Sequence, residues 1–410
     1  MLVNKDPKGR IAWCLSPLLS GVTTVYKVVG EGLRHSGWDV RAYVSGVEGS
    51  REIDVRFADK YCEILSTGTS SVVQNAREFI RRAGEQRIDV VFCTGQMFTL
   101  AAAPALPPTV RLITRCGVMT RWGYQLATAN LERIDRIVVE TPREYQDLIR
   151  DWGAAEEKCA IIPGGIDVQS FYLGNIRAFQ ENLRLVFLGR LDENQKAVMC
   201  LPKTVSRLAA AGVSFHLDII GDGPDRERMV QAFARAGLDT QVTIHGTMRR
   251  EDMLPFLQRA HIFVLPSRYE GVPWALLETM ACGCVPVASR IAGTTDYIVE
   301  HGTNGILCTV GKSSEFAQAI MDLAADRARL ESMSAAAVRT IHQRFTLDRV
   351  VKDHDELLRA VLAQEPRRYN PIPVTAIQTP DLPVQQWRRY VPQSVKNYVR
   401  TWAERFHRSV

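Results

Sequence analysis

Two glutamates eight residues apart supply the first chemistry in this sequence. In SRYEGVPWALLETMACG, Ser267–Gly283, Glu270 falls in a turn and Glu278 on an apolar helix among Trp274, Leu276, Leu277, Met280 and Ala281. A carboxylate in such surroundings needs hydrogen-bond donors or a cation. Hydroxyls of a sugar or a ribose are good donors, and a structural arginine would serve the same need. The connection itself is also informative. Pro266 to Tyr269 leave a strand, Glu270-Gly271-Val272 turn, Pro273 is expected at the first helical position, and Gly283 stops the helix. Strand, glycine turn and helix start together offer free backbone amides and a positive dipole end, which suits a diphosphate. Many strand-to-helix connections share this geometry, so the segment needs company.

Positive charge comes from a second segment. Strand Leu183–Leu188 runs into Gly189-Arg190, and Lys196 follows six residues later. Arginine offers a fork for phosphate oxygens and lysine a compact charge. Gly21, read as a loop residue before a helix starting near Thr23, would let backbone approach a phosphate or simply turn the chain. Gly221-Asp222-Gly223 continues as Pro224-Asp225-Arg226, lacks the third glycine of a dinucleotide fingerprint, and reads as a turn. His245, at a strand end, reads as structural. Metal and nucleophile signatures are poor. The one Asp-x-Asp, Asp353-His354-Asp355, lies in a helical pattern where residues two apart face different ways, and the eight histidines show no ligand spacing. No metal is expected.

The elements that must hold these residues form two series. Arg10–Leu15, Asp39–Val44, Asp89–Cys93, Val110–Thr114 and Arg136–Glu140 read as strands, with a helix over Thr23–His35 and further helical patterns between. Leu183–Leu188, His216–Ile220, Gln241–Ile244, His261–Leu265 and Val285–Ala288 repeat the pattern after the turn-rich Pro163–Asp167. Near-continuous apolar strands separated by helices imply parallel sheets covered on both faces. The expected organisation is an α/β N-terminal domain over 1–167, an α/β C-terminal domain over 168–363 ending in a helix from Thr346, a Pro-rich linker over 364–384 and a helical tail over 385–410. Two doubly wound units place their strand ends at a shared cleft.

Composition agrees with a globular protein: 46% of the 410 residues are hydrophobic and 23% charged. No apolar run approaches the ~18 residues of a membrane span. Lys5, Lys8 and Arg10 before IAWCLSPLL loosely mimic a signal peptide, but Pro17 interrupts the run, and it reads as a buried first strand. Nine dispersed cysteines without a CxxC pair fit a reducing cytosol. Of the net charge of +6, residues 385–410 carry +5, which argues against a general field for nucleic acid. In that tail Val395, Tyr398, Val399, Trp402 and Phe406 share a helical face, with Lys396, Arg400 and Arg408 elsewhere. A basic amphipathic helix with aromatics suits an anionic membrane surface, and docking onto protein would bury the same face.

Gly189-Arg190 with Lys196, Gly221-Asp222-Gly223-Pro224, His245-Gly246 and EGVPWALLETMACGCVPVAS followed by Ala292-Gly293 resemble family 4 of the retaining glycosyltransferases. The resemblance covers roughly residues 10–363 and implies the GT-B fold of two Rossmann-like domains. It implies that Arg190, Lys196 and Glu270 are the catalytic set. Arg190 and Lys196 would hold the donor diphosphate, with Glu270 beside the transferred sugar and the Gly271, Val272 and Pro273 backbone adding contacts. Glu278 would bind the ribose, Gly246 to Met248 would lie near the base, and Gly21 would approach the donor. Such enzymes need no metal and retain anomeric configuration, usually by front-face displacement. Two departures stand out. A histidine common in the family after the strand at Val110–Thr114 is replaced by Arg115-Cys116-Gly117, making Arg115 and Cys116 candidates on the acceptor side. Pro273 also removes one amide after the first glutamate.

The expectation is a transferase moving sugar from a nucleotide-sugar donor to a glycan or lipid-linked acceptor in cell-surface polysaccharide or glycolipid biosynthesis. It would be cytoplasmic and peripheral on the inner membrane face. A nucleotide-sugar isomerase of the same fold and a catalytically degenerate sugar-binding protein are the alternatives.

Overall fold

A computed structural model of the protein describes residues 6–15, 21–45, 60–66, 70–117, 119–171 and 182–382. These fall into two compact units. Among the described residues the second spans Gly165–Thr346, and the first joins those up to Gly164 with those from Leu347 to Leu382.

In the first unit β1 (Arg10–Cys14), β2 (Asp39–Ser45), β3 (Cys62–Ser66), β4 (Val90–Cys93), β5 (Arg111–Cys116), β6 (Arg136–Val139) and β7 (Cys159–Ile161) alternate with α1 (Gly21–His35), α2 (Val72–Glu85), α3 (Met97–Ala102), α4 (Arg121–Thr128) and α5 (Pro142–Trp152). The strands form one parallel sheet in the order β3-β2-β1-β4-β5-β6-β7. The centre of a sheet covered on both faces needs apolar residues without alternation. β1 supplies them, with Ile11, Ala12, Trp13 and Cys14 all fully buried. Local signals delimit the helices. Ser71 and Gln74 form a capping box before α2. Thr141 caps α5 ahead of Pro142, and Gly153 ends it in the left-handed region at φ 68.

The second unit contains β8 (Leu183–Leu188), β9 (Phe215–Ile220), β10 (Val242–Gly246), β11 (Ile262–Leu265), β12 (Val285–Ser289) and β13 (Ile306–Cys308). Between and after them run α6 (Cys200–Ala210), α7 (Arg226–Arg235), α8 (Arg250–Arg259), α9 (Trp274–Ala281), α10 (Thr295–Ile298), α11 (Ser313–Ala325) and α12 (Arg327–Arg344). The sheet is parallel in the order β10-β9-β8-β11-β12-β13. Strand periodicity sorts its core into two layers. Leu185, Phe187, Ile262 and Val264 join one cluster with Phe316 and Ile320. Val186, Phe263 and Leu265 join the other with Leu276, Leu277 and Met280 of α9. The helix bearing Glu278 is thus held by three apolar anchors on the sheet. In each unit the order reverses beside the first strand, at β1/β4 and at β8/β11. Open α/β sheets bind ligands beyond the strand ends at that switch point.

The last helix, α13 (Leu347–Ala363), corrects the expected domain limits, because it belongs to the first unit rather than closing the second. It lies on α1, where a Cβ at Gly32 would stand 2.3 Å from Val351 Cγ2, and His354 packs beside Trp13 and Phe92. The Pro-rich stretch after it is no free linker either. Extended proline-rich backbone leaves its carbonyls open, and arginines of the first unit take them. Arg111 donates to the carbonyls of Gln364 and Glu365, and Arg77 to those of Val374 and Thr375. Arg367 pairs with Asp135 at 3.2 Å, Ile372 N donates to Pro104 O at 3.1 Å, and Ile377 is buried in the core cluster. The expected tail helix over 385–410 lies outside the described residues.

Candidate functional site

The C-terminal ends of β10, β9, β8 and β11 stand side by side, and the residues singled out in the second series sit along this row. β10 ends in Gly246, β9 runs into Gly221, and β8 into Gly189 and Arg190. Gly221 N donates to Gly246 O at 2.8 Å, and Gly189 N donates to Ile220 O at 3.0 Å. The glycines of the Gly221-Asp222-Gly223 turn have a packing role. A Cβ at Gly221 would lie 1.9 Å from Gly189 O, and one at Gly223 would lie 2.4 Å from Leu191 O. Only glycine lets the β8 exit pass this close. His245 Nε2 lies 2.7 Å from Oδ1 of buried Asp218.

The two charged residues of the centre meet. Lys196 Nζ donates to Glu270 Oε1 at 2.6 Å, and Ser267 Oγ donates to the same oxygen at 2.5 Å. Both side chains are largely buried, Lys196 at 13% exposure and Glu270 at 5%. The lysine answers the cost of burying the carboxylate. Arg190, in contrast, is 67% exposed, and its nearest recorded carboxylate, Asp192, is 3.9 Å away. Beyond Glu270, the backbone amides of Gly271, Val272, Trp274 and Ala275 find no acceptor among the described residues. Pro273 sits one place earlier than expected, at the N-cap of α9 rather than at its first helical position. Trp274 and Ala275 therefore keep open first-turn amides, while Leu276 N donates to Pro273 O at 2.8 Å.

Glu278 is half-buried on α9 and finds no hydrogen-bond partner among the described residues. Burial pushes its carboxyl up to about 7, against the pull of the Arg250 charge. Arg250 opens α8, just past Met248, and its guanidinium lies 4.4 Å from the ring centre of Phe171. Met248 packs against the cluster that holds α9. Sequence reasoning did not single out Arg250, Ser267 or the pair Glu193–Arg268, whose oxygen and nitrogen lie 2.5 Å apart. Only Ser267, three residues before Glu270, carried any signal. Among the described residues, no group of three His, Cys, Asp or Glu is placed to hold a metal ion. A cavity of about 290 Å³, lined by Leu183, Val213, His261, Met321 and Leu330 among others, lies at the opposite end of this sheet and holds none of these residues.

The candidates in the first series are placed otherwise. Gly21 is the first helical residue of α1 rather than a loop residue. Arg115 and Cys116 are not available as acceptor-side contacts. Arg115 is buried in an ion pair with Glu140, and Cys116 is a core residue at 1% exposure. The reason lies on the neighbouring strand: β6 ends beside β5 and delivers Glu140 to the guanidinium. Glu144 is buried next to this pair. Burial and the Glu140 charge push its carboxyl up to about 8.

Two Rossmann-like units, each a parallel sheet covered by helices, define the GT-B class. Solved structures agree on the fold: the Anabaena protein HepE, crystallised with UDP and glucose, superposes with a TM-score of 0.69 at 17% identity over 86% of this chain and all of that one. Two family models match the sequence, Glycosyltransferase Family 4 over residues 19–170 and Glycosyl transferases group 1 over residues 182–326. The chain belongs to the group 1, family 4 glycosyltransferases. Its curated relatives include the amylovoran biosynthesis glycosyltransferase AmsK of Erwinia amylovora, 27% identical over 217 residues, covering 52% of this chain and 53% of that protein. Another is the D-inositol 3-phosphate glycosyltransferase of Acidothermus cellulolyticus, 27% identical over 246 residues, covering 56% of this chain and 54% of that one. The chain thus spans about half the length of the curated relatives it matches.

Proposed function

We propose that the protein is a retaining, metal-independent glycosyltransferase. It moves a sugar from a nucleotide-sugar donor to a glycan or lipid-linked acceptor in cell-surface polysaccharide or glycolipid biosynthesis. The Lys196–Glu270 pair beside four open amides carries this reading. A buried carboxylate next to a cation suits a ligand that brings hydroxyls and negative charge together, as a sugar diphosphate does. Arg190, exposed and weakly held, and Lys196 would neutralise the charge that grows on the leaving diphosphate, which is the task a metal performs in other transferases. The amides of Gly271, Val272, Trp274 and Ala275 would add donors, Glu278 would accept from the ribose, and Gly246 to Met248 would border the base.

Transfer breaks the bond from C1 of the donor sugar to the diphosphate oxygen. The acceptor oxygen bonds to C1 on the same face, and its proton passes to the departing oxygen. Orientation and charge stabilisation are then the protein's contribution. In this reading the first unit takes the acceptor, and the basic tail over 385–410 brings the enzyme to an anionic membrane surface from the cytoplasmic side.

A thermal-shift panel of nucleotide sugars, with free nucleotides as controls, tests the donor. One donor class should raise the melting temperature, and the shift should shrink in Arg190→Ala. A flat panel would remove the proposal. Proton NMR of the product's anomeric signal distinguishes retention from inversion, and turnover unchanged by a chelator is expected. Liposome sedimentation with and without residues 385–410 tests the tail.

A further inference from the structure

Lys196 and Glu270 sit on turns 74 residues apart in sequence, so their 2.6 Å contact needs something to hold the turns together. We propose that Glu193 and Arg268 are positioning residues for the donor site, clamping the Lys196 turn onto the Glu270 turn and fixing where the lysine ammonium stands. The inference rests on the reading of Lys196 and Glu270 as donor-site groups.

Three bonds from Arg268 cross between the turns. Its Nη2 reaches Glu193 Oε1 at 2.5 Å, its Nε reaches Glu193 O at 3.3 Å, and its amide donates to Gln195 O at 2.8 Å. The fork of a guanidinium fixes direction as well as distance. Glu193 in turn braces its own loop. Its Oε2 accepts from Met199 N at 2.8 Å, and its amide donates to Asp225 Oδ2 at 2.8 Å. The bond to Met199 spans Ala197, whose φ of 49 is the left-handed conformation that a residue with a Cβ adopts only when its surroundings impose it. Ala197 follows Lys196 directly, so the constrained residue aims the lysine. Arg268 and Glu193 are only 17% and 22% exposed, which separates this pair from solvated surface pairs of little consequence. Neither side chain belongs to the hydrophobic clusters of the unit.

Competitive acetylation of the full-length protein, read by mass spectrometry, reports the surroundings of Lys196 without any substrate. Exposed Lys203 and Lys312 of the same unit serve as internal controls. In Arg268→Ala, Lys196 should label several-fold faster than in the wild type, approaching its rate in Glu270→Gln, with both controls unchanged. A Lys196 rate that stays at the wild-type value in Arg268→Ala while rising in Glu270→Gln overturns the proposal. If Arg268→Ala loosens all three lysines alike, Glu193→Gln, which keeps an acceptor for the Met199 amide, is judged by the same criterion. With a donor found by the nucleotide-sugar panel, turnover adds a second readout. Displacing a reacting group by about 1 Å costs on the order of 100-fold, so Arg268→Ala should lose that in kcat while the donor KM moves far less. Wild-type protein that binds no nucleotide sugar would sink the donor reading, and the labelling result would still decide the clamp.

Discussion

Each carboxylate of the molecule owes its behaviour to what surrounds it. Glu270 is buried beside a lysine and Glu278 is half-buried without a hydrogen-bond partner among the described residues, and the two should respond differently to change. Lys196→Ala removes the partner of a buried carboxylate, so both stability and transfer should suffer, with kcat falling on the order of 100-fold in a donor turnover assay. In the proposed ribose contact the ionised carboxylate of Glu278 is the stronger acceptor, since protonation turns one of its oxygens into a donor. Its carboxyl stands near 7, so nucleotide affinity should climb as pH rises from 6 and level off above 7. Calorimetric titration across that range checks this, and Glu278→Gln should flatten the profile. In the first unit Glu144 gives a stability effect of opposite sense. Its carboxyl is raised from an ordinary 4.5 to about 8, so between these values the folded protein holds a proton that the unfolded chain has lost. Its contribution is complete below 4.5 and disappears as pH rises through 8, with a slope of at most about 1.4 kcal/mol per pH unit. Urea midpoints at pH 5 and pH 8 should show the fall, and Glu144→Gln should gain on the wild type as pH rises. Arg115 shows the limit of reading a site residue by residue. A cation after a strand looks alike in sequence whether it faces a ligand or an internal carboxylate, and Glu140, 25 positions later, decides the matter.

Strands and helices were legible where the chain is apolar on both faces or carries a cap. β1, β8, β11 and α1 fall within a residue or two of expectation, because a central strand advertises itself by an unbroken apolar run. β3, β7 and β13 escaped. They are short and close the sheets at their margins, where one partner strand and half a face of packing leave little imprint on composition. Close approach between elements was equally hidden, since a glycine in sequence does not say what it makes room for. Gly221→Ala would set a methyl group against Gly189 O and force β8 and β9 apart at their ends. A loss of about 2–4 kcal/mol in urea unfolding is expected. At Gly32, in mid-helix, alanine would by itself favour the helix by ~1 kcal/mol. The clash with Val351 should outweigh that gain, so Gly32→Ala is expected to lower the melting temperature.

At the level of the whole chain, the two-unit plan was readable from the restart of the strand series, but the route of the chain after the second unit was not. Proline-rich composition looks the same in a linker and in a strap whose carbonyls are taken by arginines. The strap also predicts how the protein melts. Ending the chain after Ala363 would remove Ile377 from the core and take from Arg111, Arg77 and Asp135 the partners they find beyond that point. Scanning calorimetry should then show the first unit melting earlier, with the transition of the second unit unmoved.

The return of α13 to α1 also bears on how the protein is made. A ribosome delivers the strands of the first unit, then all of the second, and only then the helix that shields Trp13 and Phe92. The second unit can therefore complete its fold while the first still waits with the part of one face beside α1 uncovered. The first unit to emerge is the last to be finished, and its open sheet is exposed to chaperones and to other nascent chains for the whole time that residues 165–346 are being synthesised.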